Sequence, residues 1–199
     1  MEACRQATRW DAEGVGSGLS MSVNLSARQF LLPDLPDIVS AAVRESGLPP
    51  ERLCLEMTET ALMDEGDATL ASLEALRALG VQLSVDDFGT GYSSLAYLKR
   101  FPVDWLKVDQ SFVDGLGTDA EDTAIVTAVI SLAHALDLHV VAEGVETADQ
   151  LANLRTLGCD IGQGTLFSAP MPASELRAFL RGRRVAPRPL PNLSSNPAL

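Results

Sequence analysis

The sequence predicts an α/β protein built on parallel strands, and three observations carry that expectation. Short strand-like runs alternate with segments whose apolar residues recur at helical spacing. The connections between the two kinds of segment are short. The chain, 199 residues and 46% apolar, is long enough to bury one sizeable core. Such repetition places helices outside a parallel sheet, as either a doubly wound sheet or a barrel.

Six strand candidates follow in order: "LSMSVNLS" (19–26), "RLCLEMT" (52–58), "VQLSVDDF" (81–88), "WLKVDQ" (105–110), "HVVAEGV" (139–145) and "CDIGQGT" (159–165). Between them, Leu70, Leu73, Leu76 and Leu79 form one helical stripe, and Ile125, Val129, Leu132 and Leu136 another. "LPDLPD" stands before one helix, "LGV" after another, and "TADQ" opens a third. The stretch from Arg181 to Leu199 is rich in Pro, Arg, Ser and Asn, and reads as a disordered tail. Its four arginines are read as solvated rather than as a contact for an acidic partner. The expected organisation is one domain over 1–180 and the tail over 181–199.

The net charge of −12 excludes a protein that wraps a nucleic-acid polymer with basic surface. Cys4, Cys54 and Cys159 are odd in number and lack CxxC spacing, which fits neither a disulfide framework nor a zinc knuckle. The N-terminal residues lack the apolar core of a signal peptide. The most apolar stretch, Ala124 to Ala142, is broken by Thr127, His134, Asp137 and His139 and is too polar to span a bilayer. The expected location is the cytoplasm.

The informative pattern lies at the C-terminal ends of the strands. There stand Asn24, Glu56, Asp86 with Asp87, Lys107 with Asp109, Glu143, and Gln163. In parallel α/β proteins active sites are built at those ends. One polar strand end would be a helix cap; six in succession are hard to assign to capping. Glu56, Asp86, Asp87 and Glu143 bring four negative charges against the single positive charge of Lys107. Such a cluster either raises its own pKa values or binds cations. Oxygen ligands favour Mg²⁺, Mn²⁺ or Ca²⁺ over zinc, and His134 and His139 fall outside the set. Adjacent aspartates suit a two-metal site, whose chemistry is hydrolysis of a phosphoester. A Schiff-base aldolase using Lys107 is a weaker reading, because surrounding carboxylates would keep that amine protonated.

Longer motifs now add a resemblance. "SVNLSARQF", "LCLEMTET", "VDDFGTGYSSLAYLKRFPVDWLKVDQSFV", "VVAEGVET" and "GCDIGQGTLFSAPMP" together resemble the EAL-domain family of bacterial cyclic di-GMP phosphodiesterases, from about Cys4 to Leu180. The resemblance implies a (β/α)8 TIM-barrel-like fold and hydrolysis of cyclic di-GMP to linear pGpG. It also implies a two-metal Mg²⁺ or Mn²⁺ site and a homodimer. It gives Asn24, Glu56, Asp86 and Asp87 as metal ligands, Glu143 as general base, and Lys107 as the residue orienting the water and phosphate. Gln163 resembles a late polar residue supporting the cluster. Glu59, with Thr58 beside it, resembles the residue pinning the "FGTGYSSL" loop, the segment that couples dimerisation to metal binding. Glu146 and Asp109 line the same region.

The name-giving Glu-Ala-Leu motif is not found at a strand end. "LEALRAL" (73–79) contains its letters but lies on a predicted helix. The six strands are therefore expected to be six of eight in a domain shortened at its N-terminus, lacking one metal-ligating glutamate and a phosphate-contacting arginine. An inactive receptor that binds cyclic di-GMP without turnover is the alternative this departure raises.

Overall fold

Six parallel strands stand side by side in the order of the sequence, curling into an incomplete barrel. The computed structural model describes residues 1–16, 18–63, 66–91 and 98–182. The strands are β1 (Met21–Leu25), β2 (Leu53–Thr58), β3 (Gln82–Phe88), β4 (Trp105–Val108), β5 (His139–Ala142) and β6 (Ile161–Gly162). All six expected strands are present, and β6 shrinks to two residues. The helices are α1 (Glu2–Ala12), α2 (Ala27–Phe30), α3 (Leu35–Ser46), α4 (Glu59–Met63), α5 (Gly66–Ala78), α6 (Gln110–Asp114), α7 (Ala120–Ala135), α8 (Ala148–Thr156) and α9 (Ala173–Gly182).

Period-two alternation divides each strand between two environments. Leu55, Met57, Leu83, Val85, Leu106, Val108, Val140 and Ala142 are buried in one core with Leu73 and Leu76 of α5, Val126, Ile130 and Ala133 of α7, and Leu154 of α8. Each Leu, Ile, Val or Met among them contributes about 1.5–3 kcal/mol through removal from water. The intervening residues form the other face, which carries Asn24, Glu56, Ser84 and Lys107. Register aligns Asn24 with Glu56, Glu56 with Ser84, and Thr58 with Asp86. In β1, an edge of the sheet, every residue is exposed or half-buried.

Local signals start and stop the elements. Ser26 and Thr147 make capping boxes with Gln29 and Gln150, opening α2 and α8. "TADQ" is thus a helix start, as expected. Asp109, read as a strand end, instead caps α6 by accepting from the Ser111 N–H at 3.0 Å. Arg52 grips both carboxylate oxygens of Asp11 and the carbonyls of Leu19 and Gly16, fixing α1 to the start of β2.

The stripe expected on α7 is shifted. Val126, Val129, Ile130 and Ala133 are buried, whereas Ile125 is exposed. This helix is apolar on nearly all sides, so periodicity alone does not select its inner face. The tail expected from Arg181 lies, from residue 183 onward, outside the described residues. So do Tyr92 to Leu95 of the "FGTGYSSL" loop.

Candidate active site

The centre of the site is the side chain of Lys107, which rises from β4 and is 4% exposed. Its ammonium lies 2.8 Å from Glu56 Oε2, 2.9 Å from Asp86 Oδ1 and 2.6 Å from Glu143 Oε1. Three donors therefore meet three carboxylates supplied by β2, β3 and the residue just after β5. Burial alone would lower the lysine pKa; the hydrogen bonds and charges of Glu143, Glu56 and Asp86 outweigh it and push it up. Lys107 is a fixed cation, and Schiff-base chemistry would need the free amine.

Adjacent strand residues should point to opposite faces, yet Asp86 and Asp87 both enter the site. The reason is local. The β3–β4 register shifts between Val85 and Phe88, and Asp87 takes a left-handed conformation with φ +55°. Aspartate tolerates that region better than most residues. The Asp87 N–H also donates to Asp86 Oδ1 at 3.0 Å, holding the two side chains in sequence-local register.

Oxygen atoms of Asp86, Asp87 and Glu143 lie within 4.8 Å of one another. Burial raises the pKa of Asp87, and Asp86 and Asp109 add to the rise. Burial likewise raises that of Glu143, with Lys107 pulling in the opposite direction. Asp109 is held low, first by its hydrogen bond from the Ser111 hydroxyl. One ammonium thus faces four acids, leaving negative charge uncompensated. Converging oxygen donors with surplus negative charge fit a hard divalent cation.

Glu59, at the start of α4, is buried beneath the loop that follows β3. Its Oε2 accepts from the Gly89 N–H at 3.1 Å, and its Oε1 has no hydrogen-bond partner among the described residues. Gly89 has φ +98°, and a Cβ there would stand 3.1 Å from Phe112. Thr58 Oγ1 accepts from the Ala61 N–H at 3.4 Å, capping α4.

Beyond Glu143, a cavity of about 710 Å³ is lined by Gln110, Glu143, Glu146, Gln163 and Phe167, among others. Gln163 and Glu146 are exposed on its wall. The Glu146 N–H donates to Gln150 Oε1 at 2.8 Å, which places the turn rather than its carboxylate. Asn24 is exposed on β1 and meets Glu56 through strand register. Glu56, Asp86, Asp87, Lys107 and Glu143 are therefore gathered in one cluster, with Asp109 against Asp87. Gln163 and Glu146 share a cavity with Glu143. Glu59 and Thr58 stand behind the loop.

Sequence reading passed over Gln110 and Phe167. Gln110 lies across Gly144, where a Cβ would come 2.3 Å from Gln110 Cγ. The glycine in "AEGVE" was the available signal for that close approach. Phe167, three residues after Gly164 in "QGTLF", packs against Gly162.

Burial pushes the Cys54 thiol up to about 12, which makes it inert at neutral pH. His139 stacks on Trp105, ring centres 4.9 Å apart, and His134 Nε2 lies 3.1 Å from Asp160. Both histidines stay outside the acidic cluster.

Comparison with known proteins adds the following. The family model for the EAL domain matches residues 1–170. MucR of Pseudomonas aeruginosa, a bifunctional diguanylate cyclase/cyclic di-GMP phosphodiesterase, is 49% identical over 177 residues, 89% of this chain and 26% of MucR. The solved phosphodiesterase of MucR in complex with c-di-GMP superposes with a TM-score of 0.83 at 48% identity, covering 88% of this chain and 70% of that one. BlrP1 of Klebsiella pneumoniae, solved with manganese and cyclic di-GMP, gives 0.76 at 34% identity, covering 84% of this chain and 42% of BlrP1. The chain spans about a fifth to a quarter of the length of the first curated relatives it matches. By sequence, by fold and by the family model alike, the chain belongs to the EAL domain family.

Proposed function

We propose that this chain forms the catalytic part of a divalent-metal-dependent phosphodiesterase that hydrolyses cyclic di-GMP to linear pGpG. The observation that carries the reading is the Lys107 ammonium held by Glu56, Asp86 and Glu143, the last of which also lines the 710 Å³ cavity. Relatives named for cyclic di-GMP hydrolysis and a relative solved with that nucleotide and manganese support it.

Asn24, Glu56, Asp86 and Asp87 would hold Mg²⁺ or Mn²⁺. When bound, such ions supply a more acidic water and compensate charge on the phosphate. Glu143 takes a proton from the attacking water as the oxygen–phosphorus bond forms and the phosphorus–ribose oxygen bond breaks. Its raised pKa makes it a better proton acceptor than an exposed glutamate. Lys107 fixes the orientation of Glu143 and places a positive charge beside the phosphate. Glu59 fixes the backbone at Gly89 and so the position of Asp87. Gln163, Glu146 and Asp109 bound the substrate side, with Thr58 supporting Glu59.

We read the working protein as a cytoplasmic homodimer; no helix among the described residues is long and apolar enough to cross a membrane. The second reading is a receptor that binds cyclic di-GMP without turnover. The two are separated by measuring nucleotide binding and hydrolysis with Mn²⁺, on this chain and on a version extended upstream. Divalent-dependent release of pGpG by the extended protein supports the first reading. Binding without release by both supports the second, and absence of binding in both removes each.

A further inference from the structure

The turn that carries Glu143 has a glycine at its centre. Gly144 takes a left-handed conformation with φ +68°. On one flank the Glu143 N–H donates to the Val108 carbonyl at 3.1 Å, and on the other the Val145 N–H donates to the Gln163 carbonyl at 2.9 Å. Between those two anchors the glycine is covered by Gln110. A Cβ at position 144 would stand 2.7 Å from Gln110 Cβ and 2.8 Å from its Cδ, so the glutamine stem fills the space that any other side chain needs. Gln110 is fixed at its root, because it opens α6 directly after the capping residue Asp109. It is exposed and lines the same cavity as Glu143. Among the described residues its side-chain amide has no hydrogen-bond partner, so packing of the stem makes the contact.

We propose that Gln110 is a positioning residue: its stem, laid across Gly144, holds the 143–145 turn so that the Glu143 carboxylate stays against the Lys107 ammonium. The two hydrogen bonds fix the ends of the turn. They leave the peptides on either side of Gly144 free to rotate, since glycine lacks the Cβ that restricts φ and ψ. A stem packed over the glycine removes that freedom. The Glu143 side chain springs from the same backbone and meets Lys107 Nζ at 2.6 Å, a contact that rotation of the turn would open. Displacing a reacting group by about 1 Å costs roughly a hundredfold in rate. The effect of Gln110 on rate rests on the phosphodiesterase reading; its hold on the turn does not.

The test begins with amide hydrogen exchange on the whole chain in chelator, without nucleotide. Gln110→Ala is expected to speed exchange at the Glu143 and Val145 N–H groups about tenfold, with protection elsewhere and the thermal midpoint unchanged. Gln110→Met keeps the stem and removes the amide, and should retain the protection of the parent. On the upstream-extended protein with Mn²⁺ and cyclic di-GMP, Gln110→Ala should lower kcat about tenfold or more and leave KM within about twofold, and Gln110→Met should recover most of the loss. Unchanged exchange in the Ala variant, exchange raised over the whole chain, or a Met variant as loose as the Ala one would each overturn the proposal. So would a raised KM at unchanged kcat, which marks a substrate contact. If the extended parent releases no pGpG, the phosphodiesterase reading falls, and the exchange measurements alone decide whether Gln110 holds the turn.

Discussion

Lys107 Nζ and Glu143 Oε1 stand 2.6 Å apart, joining a strand centre to the first residue beyond the next strand. The contact does two things. It partly offsets the upward push that burial gives the Glu143 pKa, and it holds that carboxylate where it also lines the cavity. Because the same ammonium also holds Glu56 and Asp86, the acids of the site share one counter-charge.

Lys107→Met leaves Glu56, Asp86 and Glu143 without that charge. Breaking a buried pair by removing one partner costs about 3–5 kcal/mol. Urea unfolding in chelator is expected to show a loss of that size, partly recovered by Mn²⁺. A variant as stable as the parent in chelator would show that Lys107 does not compensate the cluster.

Glu143→Gln keeps the shape of the side chain and removes its ability to accept a proton. Hydrolysis of cyclic di-GMP by the upstream-extended protein is expected to fall about a hundredfold or more. Nucleotide affinity from calorimetry should stay near that of the parent. An unchanged rate would remove Glu143 from the role of base.

Asp87 carries a raised pKa in the folded chain. A carboxyl raised on folding stabilises the fold when protonated, below its ordinary value of 3.8, and that contribution is lost as pH rises through the folded value. Asp87→Asn is therefore expected to raise the thermal midpoint in chelator near neutral pH, with the gain vanishing in acid. Asparagine also tolerates φ +55°, so the backbone should hold. With Mn²⁺ present the order should reverse, because a ligand has gone. A destabilised variant in chelator at neutral pH would contradict the raised value.

Gly89→Ala places a Cβ at φ +98° and 3.1 Å from the Phe112 ring. Strain of this kind costs about 1–3 kcal/mol. Both stability and Mn²⁺ affinity should fall, since the backbone that Glu59 holds at Gly89 lies two residues after Asp87. Loss of stability with unchanged Mn²⁺ affinity would separate the loop from the metal site.

Much of this architecture was legible in the chain because strand ends mark themselves by composition. Polar residues such as Glu56, Asp86 and Glu143 interrupt apolar runs, and alternation puts them on one face. Asp86 and Asp87 were legible as a pair for one site, but the left-handed turn that brings Asp87 round leaves no pattern in spacing. Ile125 misled because α7 is apolar on nearly every side. Asp109 served two readings, strand end and helix cap, and only coordinates choose between them. Gln110 escaped because its role is steric, against a glycine thirty-four positions away.

Among the described residues, each strand pairs only with its predecessor and successor in sequence. The sheet can therefore be laid down in the order in which a ribosome delivers it, every new unit docking on a finished edge. Glu56, Asp86 and Lys107 are in place before the cavity wall bearing Gln163, which follows β6. A nascent chain would acquire its acidic cluster well before it could enclose a nucleotide.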